Sequence, residues 1–107
     1  MKKIENMEGF YKITENNKLS VFYWSTKWCP DCFFSKRFLP MLEKDFEEIE
    51  FYSMDKNAHL ELARHLNIFG VPSFLIYENN DEVSRLVNKQ RKSYKEVKEF
   101  INESISK

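Results

Sequence analysis

The period of the apolar positions changes several times along this chain, and each change predicts an element. Met7, Phe10, Tyr11 and Thr14 fall near one face of a helix that Asn6 can cap and that runs to about Glu15. Ile4, just ahead of it, suits a short edge strand. Leu19-Ser20-Val21-Phe22-Tyr23-Trp24 is rich in β-branched and aromatic residues without clean alternation, the pattern of a central strand buried on both faces. After Cys29 the period becomes helical: Phe34, Phe38, Leu42 and Phe46 recur every four residues, with Leu39 and Met41 beside them. Pro40 removes one backbone donor and is expected to kink that helix. A second strand, about Glu50 to Met54, leads to Asn57, a plausible cap for a short helix that buries Leu60, Ala63 and Leu66. Gly70 and Pro72 then interrupt the chain. Ser73 to Glu78 and Glu82 to Val87 read as two strands joined across the polar turn Asn79-Asn80-Asp81. Ser93-Tyr94-Lys95-Glu96 has the form of a capping box, and Val97, Phe100, Ile101 and Ile105 follow on one helical stripe.

This order predicts an α/β fold: a central mixed β-sheet of four to five strands, flanked by helices on both faces. The 107 residues are enough for one domain, 1–107, with a core that needs no disulfide or metal staple. Charge adds only an exclusion, because 17 lysines and arginines balance 17 aspartates and glutamates. No global field argues for a nucleic acid or a membrane as partner. The N-terminus turns polar after Lys2 and Lys3, and the first apolar run, Leu19 to Trp24, is too short for a signal peptide or a span. A mature, cytoplasmic monomer is the expectation.

The two cysteines change the picture more. Cys29 and Cys32 are three positions apart, and a structural bridge over so small a loop gains only about 2 kcal/mol of chain entropy. Reversible redox chemistry, or half a metal site, explains that spacing better. The pair lies where a strand hands over to a helix, at the edge where open α/β sheets place their sites. A thiolate at a helix N-terminus is favoured by unpaired N–H groups and the helix dipole, and Pro30 suits a first turn that has no N–H to waste. Lowering a thiol pKa from about 8.5 to about 7 raises the thiolate fraction roughly 16-fold but costs about 5-fold in nucleophilicity, a net gain of about 3-fold. Geometry contributes more: a second thiol tethered one helical turn away can attack with an effective molarity of ~10⁵ M or more.

Trp28-Cys29-Pro30-Asp31-Cys32 after an apolar strand, followed some 40 residues later by Gly70-Val71-Pro72-Ser73 before another, resembles the thioredoxin family over nearly the whole chain. The Cys-Pro-Asp-Cys form is similar to that of thioredoxin-related proteins carrying Trp-Cys-Pro-Asp-Cys. The resemblance implies a thioredoxin fold and a thiol–disulfide oxidoreductase in which Cys29 attacks a substrate disulfide and Cys32 resolves it. It also implies a cis Val71-Pro72 bond facing Cys29, and a substrate surface formed by Trp28, Pro30, Asp31, Val71 and Pro72. Implied partners are disulfide-containing proteins or small thiols, with a thioredoxin reductase or a low-molecular-weight thiol as electron donor and no bound cofactor. Asp31 beside the pair is expected to oppose thiolate formation.

The chain departs from the family at the positions of its buried acid-base pair. The usual aspartate is Tyr23 here and the usual lysine is Phe51, so Tyr23 is expected to be a packed aromatic whose hydroxyl bonds something nearby. Trp24 is expected in the core and Trp28 against the dithiol; one of Phe33 and Phe34 faces inward, and the other can widen an apolar docking surface, while Phe69 either does the same or joins the core. His59 and His65 lie far from Cys32 and about 240° apart on a helix, which fits no zinc site, so no metal is expected. Lys89, Arg91 and Lys92 form a basic loop that is either simply solvated or able to steer acidic substrates. The rival to an enzyme is a thioredoxin-fold binding module or a redox sensor.

Overall fold

Ser20–Ser25 is the middle strand of a five-stranded sheet, and all six of its residues are buried. The computed structural model describes residues 1–16 and 18–106. Its elements are β1 (Lys2–Lys3), α1 (Met7–Thr14), β2 (Ser20–Ser25), α2 (Pro30–Lys36), α3 (Leu39–Asp45), β3 (Glu50–Asp55), α4 (Leu60–His65), β4 (Ser73–Glu78), β5 (Asp81–Leu86) and α5 (Tyr94–Ile105). The sheet order is β1-β3-β2-β4-β5, with β1, β3 and β2 parallel and β4 and β5 each antiparallel to its neighbour.

Side chains alternate across the sheet, and the alternation sorts the core in two. Val21, Tyr23, Phe51, Phe74 and Ile76 pack under α3 and α5, against Leu39, Leu42, Val97 and Ile101. Phe22, Trp24, Tyr52, Met54, Leu75 and Tyr77 pack on the other face, against Phe10 of α1 and Leu62 and Ala63 of α4. Each fully buried Phe, Leu or Ile contributes about 2 kcal/mol from desolvation before chain entropy is charged against it. β2 reads as one apolar run because both of its faces are covered.

Capping explains most of the helix starts. Asn6 Oδ1 accepts the Gly9 N–H at 2.8 Å at the head of α1, and Ser93 Oγ accepts the Glu96 N–H at 3.1 Å at the head of α5. Asn57 does not cap α4. Its N–H is held by Asp55 Oδ1 at 2.9 Å in a side-chain turn, which delays the helix until His59. Ala63 is buried and Leu66 packs half-buried against the same core, as expected, and Leu62 joins them, whereas Leu60, in the first turn, is exposed. α4 ends with Asn67 in the left-handed region, φ 58°, and the Ile68 N–H reaching back to the Ala63 carbonyl at 2.8 Å. In α5 it is Ser104, not Ile105, that turns inward, where its hydroxyl bonds the Phe100 carbonyl.

The helix after the cysteines is broken rather than kinked. Arg37 and Phe38 donate to Phe34 and Ser35 through three-residue bonds, after which α3 starts afresh. Pro40 sits in the first turn of α3, where its missing N–H costs nothing. Ile4 lies just beyond β1, although its N–H still donates to the Ser53 carbonyl at 3.0 Å. β5 begins at Asp81, so the hairpin turn is only Asn79-Asn80, with φ 53° and 71°, the left-handed pair that a two-residue turn requires.

Candidate active site

β2 ends at Ser25, and four residues later Cys29 is the N-cap of α2. Its Sγ accepts the Cys32 N–H at 3.1 Å, as the side chain of an N-cap residue does, and Pro30 occupies the first turn. Both cysteines are free thiols, but their surroundings differ. Cys29 is half-buried; Cys32, one turn into the helix, is 1% exposed.

The Cys32 side chain is therefore a thiol kept from water. Burial pushes it up to about 12, the hydrogen bond with Cys29 adds to the rise, and the Thr26 N–H and the Lys36 ammonium oppose it. Beneath it Tyr23 reaches from β2 into α2. The Tyr23 hydroxyl lies 2.7 Å from Ser35 Oγ and 3.1 Å from the Cys32 carbonyl, and Ser35 Oγ donates to that carbonyl at 2.9 Å. Two hydroxyl protons thus satisfy three oxygens in a closed pocket. Burial holds the Tyr23 phenol well above its ordinary value, although the Ser35 hydrogen bond opposes the rise. The expected packed aromatic is there, and its partner is Ser35, a residue the sequence reading passed over. Ser35 faces inward, three positions after Cys32 on α2, and a polar residue on an apolar helix face was the available signal.

The Gly70–Ser73 segment closes the other side. The Val71-Pro72 peptide is cis, and the Val71 carbonyl lies 4.0 Å from Cys29 Sγ. Gly70 packs so tightly on the 88–92 loop that a Cβ on it would lie 2.6 Å from the Asn88 carbonyl. Ser73 Oγ donates to the Gly70 carbonyl at 2.6 Å.

That basic loop is not the uniformly solvated one its composition suggests. Lys92 is 0% exposed, and its ammonium donates to Asn88 Oδ1 at 2.5 Å, the Gln90 carbonyl at 2.7 Å and the Asn88 carbonyl at 3.3 Å. It holds the loop together from within and is not available for direct steering. Burial lowers the Lys92 ammonium from the usual lysine range, against the opposing charge of Glu96. Arg91 points outward. Its Nε donates to Asp31 Oδ1 at 2.8 Å, and its guanidinium lies 4.5 Å from the centre of the Phe34 ring. Asp31 is thus not left as a free negative charge beside the dithiol.

Trp28 does not pack against the dithiol; it stands in solvent, 88% exposed. Tyr23 and Ser35 already close over the Cys32 carbonyl, and Trp28 lies in the turn beyond the end of β2. Trp24 is fully buried, and its Nε1 has no hydrogen-bond partner among the described residues. Phe34 is the inward member of its pair, while Phe33 and Phe69 are exposed. His59 Nε2 lies 3.2 Å from the Ile4 carbonyl, and among the described residues no cluster of three or more His, Cys, Asp or Glu side chains has metal-site geometry. Among the same residues, no helix is long and apolar enough to cross a membrane.

Known proteins place this architecture. The family model described as Thioredoxin matches residues 2–103. A thioredoxin H2-2 of Oryza sativa subsp. japonica is 31% identical over 91 residues, covering 84% of this chain and 68% of the rice protein. A thioredoxin H-type of Fagopyrum esculentum is 27% identical, covering 78% and 72%. The chain spans 62% of the length of the Arabidopsis thaliana thioredoxin H2, with which it is 24% identical. Among solved structures, the Trypanosoma brucei brucei thioredoxin superposes with a TM-score of 0.87 at 16% identity, covering 98% of this chain and 90% of that one. The Fasciola hepatica thioredoxin superposes with a TM-score of 0.85 at 21% identity, covering 97% and 99%. The fold is the thioredoxin fold, and the chain belongs to the thioredoxin family.

Proposed function

We propose that this chain is a thiol–disulfide oxidoreductase that reduces disulfides through Cys29 and Cys32. What carries the reading is the asymmetry of the two sulfurs: Cys29 is open to a partner at a helix N-cap, and Cys32 is enclosed one turn below it. Cys29, as thiolate, attacks one sulfur of a substrate disulfide; a Cys29–substrate disulfide forms and the other substrate sulfur leaves as a thiolate. Cys32 gives up its proton, to water or to the substrate thiolate that departs, and attacks Cys29 Sγ. The second substrate thiolate leaves, and the protein holds a Cys29–Cys32 disulfide. Two electrons have passed to the substrate, and the oxidised pair is reduced again by a flavin-dependent reductase or a low-molecular-weight thiol. Trp28, Pro30, Asp31, Val71 and Pro72 form the surface on which an extended substrate lies. The chain works as a monomer in the cytoplasm, where a dithiol stays reducible and contributes to cell redox homeostasis.

Insulin reduction driven by dithiothreitol is the direct test. Turnover above the dithiothreitol background supports the reading, and its absence in a folded, reduced sample would leave a binding module in its place. The roles separate by substitution: Cys29→Ser abolishes exchange, whereas Cys32→Ser still attacks and accumulates mixed disulfides. Equal trapping by both variants would reverse or void the assignment.

A further inference from the structure

The balance of 17 basic against 17 acidic side chains conceals a segregation of charge around the dithiol. The three segments that surround it, 24–37, 69–73 and 88–92, carry Lys27, Lys36, Arg37, Lys89, Arg91 and Lys92 but only one acid, Asp31. The other 83 residues therefore hold 11 basic and 16 acidic side chains. The lone acid is already matched to Arg91 by the 2.8 Å contact.

Two grooves extend this pattern outward. One, of about 350 Å³, begins at Phe69, just ahead of the Val71 carbonyl that faces Cys29, and runs past Leu60, Lys56 and Arg64 without a carboxylate in its lining. Its apolar side chains are open: Phe69 is 53% and Leu60 46% exposed. The other, of about 230 Å³, lies behind the redox turn and collects Lys3, Lys27 and Lys36, with Asp55 as its one acid. Exposed Trp28 and Phe33 stand near the turn.

The geometry points to a substrate class: polypeptide disulfides flanked by carboxylates, with Arg91 as the residue that receives the carboxylate. This inference rests on the oxidoreductase reading and names what that activity selects. Arg91 suits the role because its present contact is weak and its position is fixed. An exposed ion pair adds little to stability, so an incoming carboxylate can displace Asp31 at little cost. The guanidinium stays over Phe34 during the exchange, and the loop that bears it is anchored by buried Lys92 and by the close contact of Asn88 with Gly70. A cation held on an aromatic ring of the helix that Cys29 caps loses less side-chain freedom on binding than a free lysine would. The surrounding cations add a field that raises the encounter rate of acidic partners.

The test compares three otherwise identical disulfide peptides whose residues flanking each cysteine are Glu, Gln or Lys, measured as kcat/KM with the full chain at ionic strengths from about 20 mM to 1 M. At low salt the expected order is Glu, Gln, Lys, with about 5-fold between Glu and Gln, carried mainly by KM. At 1 M, where the screening length is about 3 Å, the three converge within about 2-fold. Arg91→Gln should cut the Glu-to-Gln ratio by at least half and Arg91→Lys should restore part of it, while Asp31→Asn, which frees Arg91, should enlarge it. Reduction of all three peptides at equal rates, or a ratio untouched by Arg91→Gln, overturns the inference while leaving the oxidoreductase reading intact. Failure to reduce any of them overturns both.

Discussion

Tyr23 and Trp24 are neighbours on one strand, both fully buried and both large, yet the two faces of the sheet use them differently. Tyr23 ends in hydroxyl bonds to Ser35 and Cys32, so its face is tied to the redox turn. Trp24 lies among Phe22, Tyr52 and Met54, its ring N–H without a hydrogen-bond partner among the described residues, so its face supplies packing. A single residue step along β2 thus separates a core surface that touches the chemistry from one that only supports it.

Paired substitutions would break this contrast most sharply. Tyr23→Asp buries a carboxylate between Ser53 and Phe74 of the neighbouring strands with no charge partner and is expected to cost about 3–5 kcal/mol, while giving Cys32 a base and speeding decay of the mixed disulfide near pH 7. Trp24→Ala is expected to cost a similar 3–5 kcal/mol through its cavity but to leave that decay unchanged in the folded protein. Urea unfolding and rapid-mixing measurements on both variants decide it; equal effects on decay would erase the difference between the faces.

The second prediction concerns pH. Cys32 is raised to about 12 in the folded protein, against about 8.5 when unfolded. Above pH 8.5 the unfolded chain releases a proton that the folded one retains, so the reduced protein loses stability as pH rises from 8.5 toward 12 and feels nothing from this group below that window. Tyr23, and on the opposite face Tyr52 and Tyr77, are also raised, but their windows open only near 10. Urea midpoints between pH 7 and 10 should therefore slope downward in the wild type and flatten in Cys32→Ala. The resolving step should climb over pH 6 to 9 for the same reason. A flat wild-type profile would mean that Cys32 finds a base within the fold.

The smallest expected effect is the most specific. Tyr23→Phe removes one hydroxyl and leaves Ser35 bonded to the Cys32 carbonyl, a loss of about 1–2 kcal/mol. It should also alter the pH profile of resolution, which Trp24→Phe should not. Identical profiles for the two variants would place the hydroxyl network outside the chemistry.

What the sequence revealed follows the range of the interactions involved. The strand β2, the capping at Asn6 and Ser93 and the cysteine turn depend on residues within four positions of one another, and local pattern carried them. The α4 cap failed because a turn closes first on Asp55, whose side chain takes the Asn57 N–H and whose carbonyl takes the His59 N–H that an Asn57 cap would need. Arg91 and Asp31 are 60 positions apart, and no periodicity links them. Lys92 was hidden differently: three carbonyl and amide oxygens from its own loop make a buried lysine tolerable, and composition reads such a residue as surface.

The placement of Trp28 also makes the molecule its own optical probe. With one indole in solvent and the other sealed in the core, a collisional quencher such as iodide reaches only Trp28, and the emission divides into a quenchable and a protected fraction. A peptide lying across the redox turn would shield the first and leave the second untouched, so docking can be followed in real time without a label.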